Sequence, residues 1–139
     1  MSKPTIAVLA TLDTKGEETA YVKGRIESLG GKALLIDMGF MGEPGTPPDV
    51  PRAEVITRGG SSLEKLLKNP ERQETAPVLI AGTIAILKEW VEQGKIQAIL
   101  GFGGTQGSSN CAAVMQALPY GLPKILLSTM ASGDTSNFV

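Results

Sequence analysis

Two stretches of this chain carry the glycine and hydroxyl residues that can grip an anion. The first, Ile99-Leu100-Gly101-Phe102-Gly103-Gly104-Thr105-Gln106-Gly107-Ser108-Ser109, reads as a buried strand running into a tight turn that opens a helix. Residues without Cβ let backbone N–H groups approach a ligand, and a helix N-terminus adds unpaired donors and partial positive charge. Gly103, Gly104, Thr105, Gly107 and Ser108 are therefore candidates to cradle phosphate. The competing reading is a purely structural strand-to-helix turn. No lysine follows as in a Walker A loop, and Gly101, Gly103 and Gly107 are spaced one residue too long for G-x-G-x-x-G. The second stretch, Thr129 to Ser136, holds Ser132, Gly133 and Asp134. Asp134 is a candidate Mg²⁺ ligand or the cap of a following helix.

A third polar loop, Thr11-Leu12-Asp13-Thr14-Lys15-Gly16, supplies a carboxylate, a hydroxyl and an ammonium. Asp13 is expected to accept a proton or hold Mg²⁺, and Lys15 to pair with phosphate, against the alternative that Asp13 or Thr14 caps a helix. Asp37 closes a strand where a dinucleotide fold places a ribose-binding acid, or else forms a turn. Cys111, early in the helix after the glycine turn, is read as a small buried packing group rather than a nucleophile.

Composition narrows the chemistry. The 139 residues contain no histidine and one cysteine, so no intramolecular disulfide, Cys/His zinc site or histidine-based triad can form among them. Thirteen basic against 14 acidic residues leave a net charge of -1, so no phosphate-backbone electrostatic footprint and no direct nucleic-acid binding are expected. Apolar runs such as Ile125-Leu126-Leu127 are far short of the roughly 18 residues of a membrane span. Ser2-Lys3-Pro4 leads into a strand without a signal pattern. A cytoplasmic protein with no membrane contact is the expectation.

The elements that must position these loops follow from hydrophobic periodicity. Thr5 to Ala10 is a continuous apolar run, as in a strand buried on both faces. A helix over Glu17 to Leu29 carries Val22, Ile26 and Leu29 on one stripe and stops at Gly30-Gly31. Ala33 to Ile36 is strand two, followed by a long Pro/Gly-rich connection from Met38 to Ala53, of the kind that is functional or mobile. Ser61 and Glu64 have capping-box spacing for a short helix ending near Lys68. Asn69-Pro70 restarts the chain. A helix to Gln93 presents Ile80, Ile84, Leu87 and Val91, with Pro77 either kinking it or marking its first turn. Strand three (Ala98 to Gly101), a helix to Leu118 and strand four (Lys124 to Ser128) complete the series. Such alternation predicts an α/β, Rossmann-like three-layer domain with a mainly parallel sheet. Ligands are then expected outside the carboxyl ends of the strands. Strand four has no following helix, so the domain is expected to be truncated at its C-terminus and to continue in the natural protein.

Ile6 to Glu18, Gly103-Gly104-Thr105-Gln106-Gly107, and Leu118-Pro119-Tyr120-Gly121-Leu122-Pro123-Lys124 followed by Leu127 to Asp134 together resemble the N-terminal part of the tomato-mosaic-virus-resistance-protein-like ATP-binding domain family. The resemblance runs over nearly the whole chain. It implies a two-lobed Rossmann-like domain about three times this length, which binds ATP and forms dimers, and of which a plant member contacts a viral replicase. Carried over by motif, Asp13, Thr14, Lys15, Gly103, Gly104, Thr105, Gly107, Ser132, Gly133 and Asp134 become candidates for the ligand cleft. The expected function is nucleotide binding with ATP, and Mg²⁺ at Asp13 and Asp134, in a homodimer. The alternatives are an enzyme acting on a small phosphorylated or carboxylated metabolite, and a partner-binding module.

Overall fold

The structure is a computed structural model describing residues 3–68 and 74–129. In chain order it forms β1 (Thr5–Ala10), α1 (Leu12–Ser28), β2 (Lys32–Asp37), α2 (Arg52–Arg58), α3 (Leu63–Lys68), α4 (Thr75–Glu92), β3 (Ala98–Gly103), α5 (Thr105–Gln116) and β4 (Lys124–Ser128). The four strands build one sheet in the order β2-β1-β3-β4, every pair parallel. All four strands expected from the sequence therefore lie in one sheet.

Side chains alternate across it. Ala7, Leu9, Leu34, Ile36 and Ile99 join the large core with Val55, Ile56, Leu79, Ile86, Leu87, Cys111 and Val114 from α2, α4 and α5. On the opposite face Val8, Ala33 and Leu35 pack with Ile26 of α1. Helices thus cover both faces, the three-layer arrangement that parallel strands buried on both sides require. On the α1 side β4 stays open among the described residues, with Ile125 56% and Leu127 44% exposed.

Several expected boundaries move. Helix α1 begins at Leu12, so Asp13, Thr14 and Lys15 occupy its first turn rather than a loop, with a break from helical geometry at Lys15 (φ -122°, ψ 24°). Of its expected stripe, Ile26 packs on the sheet, Val22 is half-buried and Leu29, the C-cap, is exposed. The cap of α3 is Ser62, whose Oγ accepts from the N–H of Lys65 at 3.2 Å, one residue later than the Ser61–Glu64 spacing implied. Pro77 lies in the first turn of α4, where its missing N–H costs nothing.

The connection after β2 is more ordered than its four prolines suggest. It returns to the sheet edge: the N–H groups of Asp49 and Val50 donate to the Leu35 carbonyl at 2.9 and 3.0 Å, and Asp49 Oδ2 accepts from Leu35 N–H at 2.8 Å. It then enters α2, a helix that the sequence pattern did not reveal. Helix α2 crosses α4 at glycines. A Cβ on Gly82 would fall 1.8 Å from the Val55 carbonyl oxygen, and one on Gly59 would fall 2.2 Å from that of Val78.

This packing makes two opposite predictions. Gly82→Ala should destabilise the fold by about 1–3 kcal/mol, the usual range for overpacking, because the obstacle is backbone. Gly24→Ala in α1 meets nothing within 4 Å and should stabilise by about 0.5–1 kcal/mol. Urea denaturation of both variants measures the two signs.

Candidate functional site

At the carboxyl end of the sheet, β1 and β3 are neighbours whose chains leave in different directions. β1 leads by way of α1 to β2 on one side, and β3 leads by way of α5 to β4 on the other. This is a topological switch point, where open α/β sheets leave a crevice. A cavity of about 560 Å³ lies there, lined among others by Asp13, Thr14, Lys15, Met38, Phe40, Thr75, Leu79, Gly104, Thr105, Gly107 and Asn110.

Two carboxylates hold one wall. Asp37, at the end of β2, is 1% exposed, and its Oδ1 accepts from the N–H of Leu12 at 3.3 Å and of Gly39 at 2.8 Å. It thereby satisfies one free donor at the start of α1, whose N-cap, Thr11, makes no side-chain capping bond. Asp13 reaches the opposite way: its Oδ2 accepts from the N–H groups of Met41 and Gly42, both at 3.1 Å. The first turn of α1 and the loop after β2 are therefore tied together by an acid from each. Glycines allow the closeness. A Cβ on Gly39 would sit 2.5 Å from Asp13 Oδ1 and 3.0 Å from Asp37 Oδ1, and one on Gly16 would meet Gly45 Cα at 2.6 Å. Arg52 donates from Nη1 to the Gly42 carbonyl and completes the enclosure.

Burial lifts the Asp37 carboxyl above its ordinary value of 3.8. The Gly39 and Leu12 N–H groups and the Arg52 charge oppose that rise, while the Asp13 charge adds to it. Asp13 does not cap its own helix as the sequence suggested but binds the loop after β2, while Asp37 forms the turn to Gly39 that was its alternative reading and also reaches Leu12. Asp37 does not line the cavity, and its Oδ1 is committed to backbone donors. Among the described residues, Asp13 is the single carboxylate that lines the cavity. Among the described residues no three Cys, Asp or Glu side chains gather as a metal cluster. Ser132, Gly133 and Asp134 lie outside the described residues.

The second wall is the glycine turn. Gly103 is buried, and a Cβ there would stand 2.9 Å from Gly107 Cα, so this glycine serves the turn's own packing. Gly104 differs: φ is -84°, the nearest atom to a Cβ is Thr129 Oγ1 at 3.7 Å, and it lines the cavity. As N-cap of α5 it offers no side-chain cap to the first-turn N–H groups. Ser108 points elsewhere. It is fully buried, donates to the Gly103 carbonyl at 3.1 Å and shares a 2.5 Å hydrogen bond with Ser128 Oγ, tying α5 to the ends of β3 and β4. Thr11 and Thr14 share a hydroxyl hydrogen bond of 2.9 Å at the rim, and Lys15 Nζ lies 3.5 Å from Glu18. Cys111 packs under the turn as expected. Burial pushes its thiol up to about 11, and Sγ lies 3.7 Å from the Leu9 carbonyl oxygen.

Sequence reasoning missed a third contribution. Met38, Gly39, Phe40 and Met41 after β2, and Thr75, Ala76 and Leu79 at the start of α4, complete the cavity. The long connection gave a signal for the first group. Nothing in the sequence marked the second, because its placement depends on how α4 crosses the sheet.

A Rossmann-like α/β domain with a ligand-sized cleft at the switch point of a parallel sheet is the class so defined. Residues 4–139 match the N-terminal domain of the uncharacterised protein family UPF0261, and the chain belongs to that family. It is 41% identical over 134 residues to a UPF0261 protein of Clostridium tetani, covering 96% of this chain and 33% of that protein. A UPF0261 protein of Mesorhizobium japonicum is 33% identical over 134 residues, again 96% of this chain and 33% of the relative. The chain thus spans about a third of the length of these relatives. Similarity to the ToMV resistance protein Tm-1 of Solanum lycopersicum is 33% over 48 residues, 34% of this chain and 6% of that protein. The resemblance to the resistance protein is therefore partial, and the family that spans the chain is UPF0261. No helix among the described residues is long and apolar enough to cross a membrane.

The buried Asp37 gives a pH prediction. Its folded-state pKa is raised, so the folded protein holds this proton more tightly than the unfolded chain. The resulting stabilisation is complete below 3.8 and is lost as pH rises through the raised value. Asp37→Asn should remove this component, so that wild type and variant differ in the slope of stability against pH just above 3.8 and run parallel near neutrality. Chemical denaturation across that range measures it.

Proposed function

We propose that this domain binds a nucleotide, with ATP as the ligand to test first. The observation that carries the reading is the division of the cavity between two kinds of surface. One part offers Lys15, the Thr14 and Thr105 hydroxyls and the glycine start of α5; the other offers Met38, Phe40, Ala76 and Leu79. Cationic and backbone donors at helix N-termini suit phosphate oxygens, while an apolar slot suits the faces of a heterocycle. The starts of α1, α4 and α5 all border this one space.

An enzyme for a small phosphorylated or carboxylated metabolite would call for a closed basic pocket with paired carboxylates. The described lining, with Met38, Phe40, Met41, Ala76 and Leu79, is extensively apolar, which favours the nucleotide. Magnesium enters the proposal as an ion carried mainly by phosphate oxygens. Mg²⁺ needs only one or two protein carboxylates beside a nucleotide, and Asp13 is the cavity residue of that type. The full-length protein is further proposed to act as a dimer in the cytoplasm, as the family resemblance and the composition imply.

Gly104→Val tests the phosphate side. A Cβ at Gly104 meets no atom closer than 3.7 Å. The branched side chain would nevertheless enter the space where phosphate approaches. Losing one or two charge-assisted hydrogen bonds, about 1.5–3 kcal/mol each, should weaken ATP binding roughly tenfold or more with an unchanged circular dichroism spectrum. Calorimetric titration of the full-length protein is the measurement, and wild-type affinity would assign the turn to packing.

A further inference from the structure

Helical threonines commonly satisfy their hydroxyl on the carbonyl four residues back, and this protein does so repeatedly. Thr19 donates to the Lys15 carbonyl at 2.6 Å, Thr57 to Ala53 at 2.9 Å and Thr83 to Leu79 at 2.8 Å. Thr75 is different. It opens α4, directly after the N-cap Glu74. The residue is 9% exposed, and its Oγ1 is buried without a hydrogen-bond partner. Buried polar groups in that condition are uncommon and unfavourable. Valine has the same shape and would fill this position without leaving a donor unpaired. Thr75 also lines the cavity, next to Ala76 and one helical turn from Leu79.

We propose that Thr75 is a recognition residue for the nucleoside part of the ligand, an inference that rests on the nucleotide reading above. Because Oγ1 has no hydrogen bond to lose, rotation about χ1 can carry the hydroxyl to another staggered position at no such cost. The turned hydroxyl meets a polar edge of the ligand within a slot that Met38, Ala76 and Leu79 keep apolar. A threonine hydroxyl both donates and accepts, so it suits the ring nitrogens and amino groups of a base or the hydroxyls of a ribose. The free protein carries the unfavourable burial, and the bound ligand relieves it. Thr75 thereby trades stability of the empty domain for affinity.

The test is titration of the full-length protein, its Thr75→Val variant and its Thr75→Ser variant with ATP, adenosine and tripolyphosphate, together with thermal melts without ligand. Thr75→Val should weaken ATP and adenosine about tenfold, leave tripolyphosphate unchanged and melt at or above the wild-type temperature. Thr75→Ser should keep wild-type ATP affinity within about threefold, since it retains the hydroxyl. Wild-type ATP affinity in Thr75→Val overturns the role of Thr75 alone, as does an equal loss on tripolyphosphate. A melt of Thr75→Val below wild type overturns it too, by assigning the hydroxyl to folding. Failure of the wild-type protein to bind any of the three probes overturns the nucleotide reading itself, and with it this inference.

Discussion

The carboxylate of Asp37 is the constraint on which the site depends. An acid that is 1% exposed would ordinarily be expelled from a protein interior, and burial does raise its pKa. It remains because two backbone N–H groups, from Leu12 and Gly39, point at one of its oxygens. That single oxygen joins the end of β2, the start of α1 and the first bend of the loop after β2. Asp13 then repeats the device in the other direction through Met41 and Gly42. The loop carrying Met38 to Met41 is consequently fixed against α1, and one wall of the cavity exists before any ligand arrives.

Glycine does two separate jobs around this cavity. Gly16, Gly39, Gly82 and Gly103 are crowded by backbone or carboxylate atoms closer than a Cβ tolerates, so they set how near two segments come. Gly104 and Gly107 line the cavity and have ordinary space where a Cβ would stand. Their missing side chains leave open volume rather than close contact. In sequence the two groups look alike.

This explains how far the sequence could be read. The four strands and the polar loops at their carboxyl ends were legible, because continuous apolar runs and a Gly-Gly boundary are local signals. The first turn of α1 was not. Its N-terminal cap comes from Asp37, 25 residues away along the chain, so Asp13-Thr14-Lys15 reads as a loop until β2 is placed beside β1. Helix α2 escaped for a related reason: at seven residues it is too short to show a period, and its packing rests on Gly59 and Gly82. Of the candidate site, Asp13, Thr14, Lys15, Gly104, Thr105 and Gly107 do converge on one cavity. Ser108 shared their composition and turned inward to Ser128, a distinction that side-chain type alone does not make.

The switch point also explains why the cavity mixes such unlike surfaces. Parallel strands bring every helix that follows a strand to the same rim with its positive end first, so polar donors accumulate there. Helix α4 follows no strand directly; it reaches the rim only because the chain passes through α2 and α3 before returning to the sheet. Its first turn is therefore free to be apolar, with Ala76 and Leu79 carrying no capping duty, and Pro77 removes one donor that would otherwise need a partner. The long excursion between β2 and β3 thus adds an apolar wall to a rim that topology had already made polar, and a cleft with one polar and one apolar side is the result.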